Sequence, residues 1–396
     1  MKKKILYIFA LPYNFYYYKR YALEYIKDYL DVEVLDISQY FFPKINFDNL
    51  KFNSKIVSNL ISDIKDLKKF LKKSKPSHAF IIAPNYEIKG EIAYICKKES
   101  NIKIIESFLN PNPDIKSNFF TKIYVTLKFV LNFNFIPIFK ILINKIMKAF
   151  STNSNSKKKI LPDIIFIAGS DLKYFNRVKL IKKVINTHSF DYEISKNLEK
   201  KNKNFFFKDK IATFLDEGMY HHLDYKLLNL DLPKNPKKYF EELNNFFNFF
   251  EEKFKIKVII SLHPKTIETD YEKFFQGRKC LKHLSANLVK ESSHVFLHGT
   301  TTSLSFPIIF KKPLTFLTTN DLENDFYKKS FLEIRKKILG QTSINLSKPH
   351  EYKNFRSNYV NFDGYTKYFR KYIKDETSVN VPLWENFINL LKQEEI

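Results

Sequence analysis

The stretch KIATFLDEGMYHHLDY, residues 210–225, decides the fold of the second half of the chain. Its apolar run, 211–215, ends in two consecutive carboxylates, Asp216 and Glu217, and then in Gly218. A short β-rich run that ends in a turn signal predicts a buried strand. The chain has only seven glycines in 396 residues, so a glycine at this strand end indicates a sharp backbone exit.

The same pattern extends outward in both directions, since short apolar runs alternate with longer segments of helical period. This alternation is typical of parallel sheets covered by helices. In the second half the predicted strands are 211–215, 257–262, 294–297 and 314–317. In the first half they are 4–10, 31–37, 78–83, 102–106, 163–168 and 183–187. The sequence therefore predicts an α/β protein with two Rossmann-like, doubly wound domains.

Helices are predicted between these strands, and the length of the chain exceeds what one core usually supports. The predicted helices are 16–29, 54–73, 88–98, the amphipathic segment 236–254 and a terminal helix after Pro382. We place the domain boundary in the lysine-rich stretch 195–204. This gives domains at 1–204 and 205–375, with 376–396 packing back on the first domain.

The charge of the chain indicates an anionic partner. Lysine and arginine outnumber aspartate and glutamate by 67 to 42, which gives a formal net charge of +25. Nucleic acid, an anionic lipid surface and an acidic substrate all satisfy this requirement. The two cysteines, Cys96 and Cys280, match no metal or disulfide spacing, so a reducing cytoplasm is the expected location.

The segment 118–150 interrupts the alternation, because it is rich in phenylalanine and isoleucine with lysines spaced among them. Such a basic amphipathic segment can lie in an anionic membrane interface. The alternative is a helical pair that packs on its own domain with its lysine stems pointing outward. No stretch reaches the length of about 18 apolar residues that a membrane span needs.

Several common enzyme classes lack their motifs in this chain: it has no G-x-G-x-x-G, P-loop, G-x-S-x-G or zinc spacing. Three polar motifs remain, and each follows a predicted strand of the second domain. They are Asp216-Glu217-Gly218, then His263-Pro264-Lys265, then His298-Gly299-Thr300-Thr301-Thr302-Ser303. Because ligands of open α/β sheets bind at the carboxyl edge of the strands, we expect the three motifs to form one site.

Residue type suggests the role of each motif. A carboxylate in an apolar setting beside a second carboxylate has a raised pKa, which suits Glu217 or Asp216 as a general base for a hydroxyl. His263 can give a proton or a hydrogen bond to a leaving phosphate. The threonine-rich run offers hydroxyls and backbone N–H groups to that phosphate. This chemistry describes transfer from a nucleotide-activated donor, with no metal required.

Each motif taken alone has a simpler interpretation. Acidic residues before glycine are common in turns, and a threonine run is common at helix starts. His221, His222 and His298 are also candidates for purely structural roles. The inference therefore depends on the order and placement of the motifs.

In these residues the chain resembles the bacterial sialyltransferases and related CMP-sugar glycosyltransferases of GT-B architecture. The hallmarks of that family are an acidic-acidic-Gly motif, a His-Pro motif and a later Ser/Thr pair, which here correspond to Asp216-Glu217-Gly218, His263-Pro264 and Thr302-Ser303. The resemblance covers mainly residues 211–317, and it implies that the domain 205–375 binds the nucleotide sugar and the domain 1–204 binds the acceptor. It departs from the family in the Thr-Thr-Thr-Ser run, where a serine pair is usual.

The resemblance implies that Glu217 is the base that activates the acceptor hydroxyl and that His263 is the acid toward the CMP phosphate. It also implies a metal-independent reaction, an acidic sugar donor such as a sialic acid, another nonulosonic acid or Kdo, and a surface glycan as acceptor. A lipid-linked acceptor would draw this basic protein to the inner face of the cytoplasmic membrane. We expect no nucleic-acid partner.

Two rival functions follow from the same residues. A CDP-polyol phosphotransferase of the teichoic-acid type shares the His-Pro and the late Ser/Thr-rich phosphate site, and it would transfer a phosphoryl-polyol. A non-catalytic RNA- or membrane-binding protein would explain the charge alone, but its basic residues are dispersed and form no stripe.

Overall fold

The structure is a computed structural model. It describes residues 2–43, 56, 58–83, 86–111, 113, 160–171, 178–200, 207–220, 232, 235–266, 270–353, 355 and 359–393. The segment 118–150, His221, His222 and the predicted domain boundary at residue 204 lie outside the described residues. The chain forms two compact units, 1–113 with 162–396, and 114–161. Both sheets belong to the first unit.

The first sheet contains seven parallel strands among the described residues. Its order is β3-β2-β1-β4-β5-β6-β7, which begins with the order of a Rossmann sheet. The strands are β1 (Lys4–Phe9), β2 (Asp31–Asp36), β3 (Ser58–Leu60), β4 (His78–Ile82), β5 (Lys103–Phe108), β6 (Ile164–Ala168) and β7 (Lys183–Thr187). We call this sheet and its helices the first lobe.

The second sheet has six parallel strands in the described part of the chain, in the order β10-β9-β8-β11-β12-β13. The strands are β8 (Ile211–Leu215), β9 (Lys257–Leu262), β10 (Cys280–Lys282), β11 (His294–Leu297), β12 (Leu314–Thr318) and β13 (Ser343–Asn345). The order is that of a Rossmann sheet, and it reverses direction between β8 and β11. The second lobe is this sheet with its helices.

The helices connect the strands and cover both sheets. They are Phe15–Arg20, Leu23–Ile26, Ser38–Phe41, Ile64–Ser74, Tyr86–Ser100, Phe190–Lys200, Pro236–Phe254, Ser285–Glu291, Ser305–Ile309, Asn320–Asn324, Phe326–Leu339, Pro349–Lys353, Phe362–Tyr368 and Leu383–Gln393. Short 3-10 turns lie at Val178–Leu180, Glu272–Phe275 and Thr302–Leu304, and a π-helical turn at Phe369–Ile373. None of the helices in the described part of the chain is long and apolar enough to cross a membrane.

The helix Pro236–Phe254 shows how the sequence forms the second core. Asn235 caps its first turn, because the Asn235 side chain accepts the Lys238 N–H at 3.0 Å, and Lys255 ends it in the left-handed conformation. Aromatic and leucine residues at three- and four-residue spacing lie on its buried face. That face packs on the strands through Tyr239, Phe240, Leu243, Phe246, Phe247 and Phe250.

The terminal helix Leu383–Gln393 belongs to the core of the first lobe, although it follows the second lobe in sequence. Trp384 packs against Phe190, and the Phe387 ring lies 6.0 Å from that of Phe80 and 5.6 Å from that of Phe166. Six residues of this helix share one buried cluster with residues of β1, β4, β5 and β6. Their burial joins the end of the described chain to the first sheet.

The predicted fold class is confirmed, and all ten predicted strands are present within one or two residues at each end. Two helix predictions are wrong in part. The predicted helix 16–29 is two short helices, because Ala22 adopts a left-handed φ of 45° between them. The predicted helix 54–73 contains strand β3, and the helix begins only at Ile64, where Asp63 caps the Lys65 N–H at 2.7 Å.

Candidate functional site

Two of the three predicted motifs meet at the point where the second sheet reverses its strand order. Asp216 and Glu217 follow β8, and Gly299 and Thr300 follow β11, the neighbouring strand. Leu215 pairs with Leu297 in the parallel register, so the two strands end side by side. A ligand crevice in such sheets lies outside the carboxyl ends of these two strands.

The Glu217 carboxylate connects the two strand ends directly. Its Oε1 accepts the backbone N–H of Thr300 at 3.0 Å and that of Thr301 at 2.6 Å, and its Oε2 accepts the Thr300 hydroxyl. Glu217 is only 6% exposed, so these charge-assisted hydrogen bonds are shielded from water. The structure thus places Glu217 on backbone N–H groups that the sequence suggested for a phosphate.

The same loop is held from its other side by Arg335, on the helix Phe326–Leu339. Arg335 is 0% exposed, and its Nη1 donates to the carbonyl oxygens of Gly299 and, at 2.9 Å, Thr301. Gly299 allows this close packing, because a Cβ atom at that position would lie 2.7 Å from the Leu332 Cβ. The loop is therefore fixed both through its N–H groups and through its carbonyls.

The end of the threonine-rich run is open to solvent. Thr301 is buried, and its hydroxyl accepts the Ser303 N–H at 3.2 Å, which starts the turn Thr302–Leu304. Thr302 is exposed and Ser303 is half-buried. The helix Ser305–Ile309 follows without interruption. Thr300 is half-buried as well, but its hydroxyl donates to Glu217, so we take Thr302 and Ser303 as the hydroxyls for a bound phosphate.

Asp216 differs from Glu217 in its surroundings. Burial raises the pKa of its carboxyl to about 7, against hydrogen bonds from the backbone N–H groups of Gly218 and Glu217 that lower it, and the Glu217 charge raises it further. Among the described residues, none donates a hydrogen bond to Asp216 Oδ2. Gly218 follows with a φ of 62°, the left-handed region that favours glycine. Asp216 is thus a buried carboxyl that titrates near neutrality.

The His298 ring is buried, and both of its nitrogens are hydrogen-bonded within the protein. Its Nδ1 donates to the Leu317 carbonyl at 2.7 Å, and its Nε2 accepts the Tyr239 hydroxyl at 2.8 Å. Burial lowers the pKa of the ring, which keeps it neutral. Since both nitrogens are bonded inside the protein, this geometry corrects the expectation that His298 contacts a phosphate directly.

The third motif follows β9 and faces the first lobe. The Lys265 N–H donates to His263 Nδ1 at 3.2 Å, so the neutral ring carries its proton on Nε2. Pro264 and Lys265 are half-buried, and the Lys265 Nζ lies 5.6 Å from the centre of the Tyr17 ring in the first lobe. The rings of Phe15 and His283 also meet across the lobes, at 5.3 Å. The His-Pro loop therefore lies where the carboxyl edges of the two sheets approach.

Two functional candidates were not predicted from the sequence. Arg335 sits in an ordinary helical pattern, FYKKSFLEIRKKIL, and no local signal distinguishes it from the lysines around it. Asp191 follows β7 in the stretch THSFD, so the rule that polar residues at strand ends form sites could have found it. Within the described residues, no three His, Cys, Asp or Glu side chains come together as metal ligands.

The comparisons with known proteins concern the fold. No protein-family model and no curated protein matches the chain. The chain is similar to the structure of the wall teichoic acid polymerase TagF, with a TM-score of 0.52 and 10% identity over 100% of this chain and 90% of that one. It is also similar to the calicheamicin glycosyltransferase, with a TM-score of 0.50 and 6% identity over 99% and 98% of the two chains. These likenesses and the two Rossmann-type sheets show a GT-B fold.

Proposed function

We propose that the protein is a glycosyltransferase that moves a CMP-activated acidic sugar, a nonulosonic acid or Kdo, onto a bacterial surface glycan such as lipooligosaccharide, lipopolysaccharide or capsule. One observation carries the proposal: Glu217 is hydrogen-bonded to Thr300 and Thr301, so the acidic motif and the hydroxyl run form one site. The resemblance to CMP-sugar transferases supplies the donor class, and the GT-B fold is compatible with it.

We propose different roles for the Asp216 and Glu217 carboxylates. The resemblance assigns the base to Glu217, but the hydrogen bonds commit its carboxylate to the loop. Asp216 retains an oxygen that no described residue bonds, and its pKa of about 7 suits a general base at neutral pH. We therefore assign proton acceptance to Asp216 and the positioning of the loop to Glu217.

In the proposed reaction one bond to the anomeric carbon forms as another breaks. The acceptor hydroxyl gives its proton to Asp216 while its oxygen forms the new bond to the anomeric carbon. The bond between that carbon and the phosphate oxygen breaks, the oxygen keeps the electron pair, and His263 Nε2 donates a hydrogen bond to the leaving CMP phosphate. The hydroxyls of Thr302 and Ser303 bind the phosphate, and Lys265 adds positive charge. The proposed reaction uses no metal ion.

The charge of the chain suits this reaction. Donor and acceptor glycans of this kind are both anionic, and a net charge of +25 attracts them over a long range. A glycolipid acceptor would be presented at the inner face of the cytoplasmic membrane, so we propose peripheral association with that surface.

A second candidate function is favoured by the fold likeness to the wall teichoic acid polymerase. A CDP-polyol phosphotransferase would use the same hydroxyl run and His263 for a phosphate that is transferred together with the polyol. It would not need two carboxylates after β8, which is why we rank it second.

One assay separates the candidates. The purified protein is incubated separately with CMP-sialic acid, CMP-Kdo, CDP-glycerol and a UDP-hexose, and the free nucleotide is measured. We expect CMP release from a CMP-sugar, and loss of release in His263→Asn and Asp216→Asn. Turnover of CDP-glycerol alone would establish the second candidate. Turnover of the UDP-hexose alone, or of no donor, would reject the proposed donor class.

A further inference from the structure

A cavity of about 470 Å³ lies where the chain crosses between the two lobes. Its volume falls within the range of about 300–1,000 Å³ that is typical of small-molecule sites. The apolar part of its wall is formed by Tyr192, Ile308, Ile309, Phe362, Tyr365 and Phe369. None of the residues proposed for the transfer reaction lines this cavity, so the proposed function leaves it without a role.

Both crossings of the chain contribute to the wall of the cavity. The helix Phe190–Lys200 follows the last strand of the first lobe and precedes the first strand of the second lobe. The turn Phe369–Ile373 leads back toward the terminal helix, which packs in the first lobe. The Tyr192 ring on the helix lies 5.7 Å from the Phe369 ring on the turn. A molecule in the cavity would therefore contact both crossings.

The helix Ser305–Ile309 connects the cavity with the candidate site. It begins directly after the turn that carries Thr302 and Ser303, the hydroxyls proposed for the donor phosphate. Its last two residues, Ile308 and Ile309, line the cavity. The helix has five residues, so its ends are about 8 Å apart. A molecule in the cavity would thus contact the end of the helix that starts at the candidate site.

Two lysines in the wall of the cavity attract an anion. Lys311 is exposed, and no described residue accepts a hydrogen bond from its ammonium group. The Lys374 Nζ donates to the Asn380 side-chain oxygen at 2.9 Å and lies 5.3 Å from the centre of the Tyr192 ring. Burial lowers the pKa of Lys374, and the charge of Lys196 lowers it further. A bound anion would oppose both effects.

The acidic residues in the wall are bonded to other groups. Glu376 forms an ion pair with Arg370 at 3.0 Å. The Asp375 carboxylate accepts the Thr377 N–H at 2.6 Å and the Thr377 hydroxyl at 2.7 Å. The two lysines are therefore the cations that a ligand can use. Two ammonium groups suit a doubly charged phosphate better than a single carboxylate.

We propose that this cavity is an effector site for a phosphate ester with an aromatic body. Lys311 and Lys374 bind the phosphate, and the body packs on the apolar wall, where four of the six side chains are aromatic. The site goes beyond the proposed transfer reaction. Its occupant holds the two crossings together and so controls how the lobes move relative to each other.

Naphthyl phosphate is the probe for this site, and naphthol and inorganic phosphate are its two halves. Isothermal titration calorimetry with the full chain measures the binding of all three. We expect one naphthyl phosphate per chain, bound at least about tenfold more tightly than either half, because each half makes only one kind of contact. No binding of naphthyl phosphate, or equal binding of naphthol, would overturn the proposal.

Three substitutions in the wall test the location. Lys311→Met and Lys374→Met each remove one ammonium group, and each should weaken the binding of naphthyl phosphate by about five- to tenfold. Thr366→Trp changes no charge and is made at an exposed position in the wall. It should abolish binding by filling the cavity. Wild-type affinity in all three folded variants would reject this location.

Lys367→Met and Lys265→Met are the matched controls. Lys367 is the exposed neighbour of Thr366 and does not line the cavity, and Lys265 belongs to the candidate site. Both variants should bind naphthyl phosphate within about twofold of the wild type. A loss in Lys265→Met equal to that in Lys311→Met would place the probe at the candidate site and overturn the proposal.

Hydrogen–deuterium exchange tests the effector role without any turnover, so a failure of the proposed transfer reaction does not affect its outcome. Bound naphthyl phosphate should slow exchange in residues 190–200 and in residues 369–376 together. Lys311→Met should lose this protection at the same concentration of naphthyl phosphate. Unchanged exchange in either segment of the wild-type complex would show that the occupant does not join the crossings.

Discussion

The carboxylate of Glu217 accepts the backbone N–H of Thr301 at 2.6 Å, across the point where the second sheet reverses its strand order. Two segments about eighty residues apart in sequence thus form one structural unit. Because Glu217 also bonds Thr300 twice, the shape of the loop after β11 depends on an acidic residue after β8. Stability and transfer are therefore expected to respond together when this contact is changed.

Glu217→Gln tests that dependence. The amide keeps the size of the side chain, its oxygen can still accept the two N–H groups, and its NH2 group can donate to the Thr300 hydroxyl. The charge is lost, so we expect a loss of about 1–3 kcal/mol of unfolding free energy. Transfer should fall with it, because the loop that carries Thr302 and Ser303 is no longer fixed. Chemical denaturation and initial rates measure the two effects. A variant with wild-type stability would show that the contact does not hold the loop.

The raised pKa of the Asp216 carboxyl predicts that the free energy of unfolding depends on pH. Its pKa is raised from 3.8 to about 7 by burial, so between these values the folded protein binds more protons than the unfolded chain. Below pH 4, Asp216 therefore contributes up to about 4 kcal/mol to the free energy of unfolding. This contribution is lost as the pH rises through 7.

Asp216→Asn should remove this loss. We expect the melting temperature to fall less between pH 5 and pH 8 in the variant than in the wild type. The rate of transfer by the wild type should instead rise through about pH 7, since only the ionised carboxyl can accept a proton. Equal pH slopes of the melting temperature in the two proteins would contradict the assignment.

Gly299→Ala tests the close packing beneath the loop. The added Cβ would lie 2.7 Å from the Leu332 Cβ, and relieving such overpacking costs about 1–3 kcal/mol. The Leu332 Cα would lie 2.8 Å from the added Cβ as well, so truncating the Leu332 side chain would not relieve the overlap. Thermal unfolding measures the loss, and a melting temperature equal to that of the wild type would contradict it.

Gly90→Ala is the control for this substitution. Gly90 lies inside the helix Tyr86–Ser100, and a Cβ there would meet nothing within 4 Å. Alanine should therefore stabilise the protein by up to about 1 kcal/mol. The same chemical change is thus expected to act in opposite directions at the two glycines.

Arg335→Met tests the other support of the loop. The substitution fills the space but leaves the carbonyls of Gly299 and Thr301 without this donor, so we expect a loss of about 2–4 kcal/mol. Arg370→Met is the control, because its ion pair with Glu376 is exposed and such pairs contribute about 0–1 kcal/mol. Equal denaturation midpoints for the two variants would show that Arg335 does not support the loop.

The strands of this fold could be predicted because each is a local property of the sequence. A buried strand such as β6, IIFIA, is an unbroken apolar run, since helices cover both faces of a parallel sheet. The edge strands β3, β10 and β13 were missed because each has only three residues, too few to show a period. The break at Ala22 was missed because no glycine or proline marks it.

The site was predictable in its position but not in its contacts. The rule that ligands bind at the carboxyl edge identified Asp216, Glu217 and the threonine-rich run from their order alone. In the structure Glu217 accepts the Thr301 N–H, while Asp216 keeps an unbonded oxygen. This difference depends on the orientation of neighbouring side chains across two strands. Arg335 also acts across a long separation in sequence, which no local pattern reports.

The helix Leu383–Gln393 has a consequence for biosynthesis. Trp384 and Phe387 fill the hydrophobic interior built by strands that precede the second lobe in the chain, so that interior stays incomplete until residue 391 has emerged. Domains of multidomain chains usually complete their folding in order of synthesis. Here the first lobe must wait for a helix that follows the second lobe in the chain, and nascent chains stalled before residue 383 should display unfilled apolar surface to chaperones.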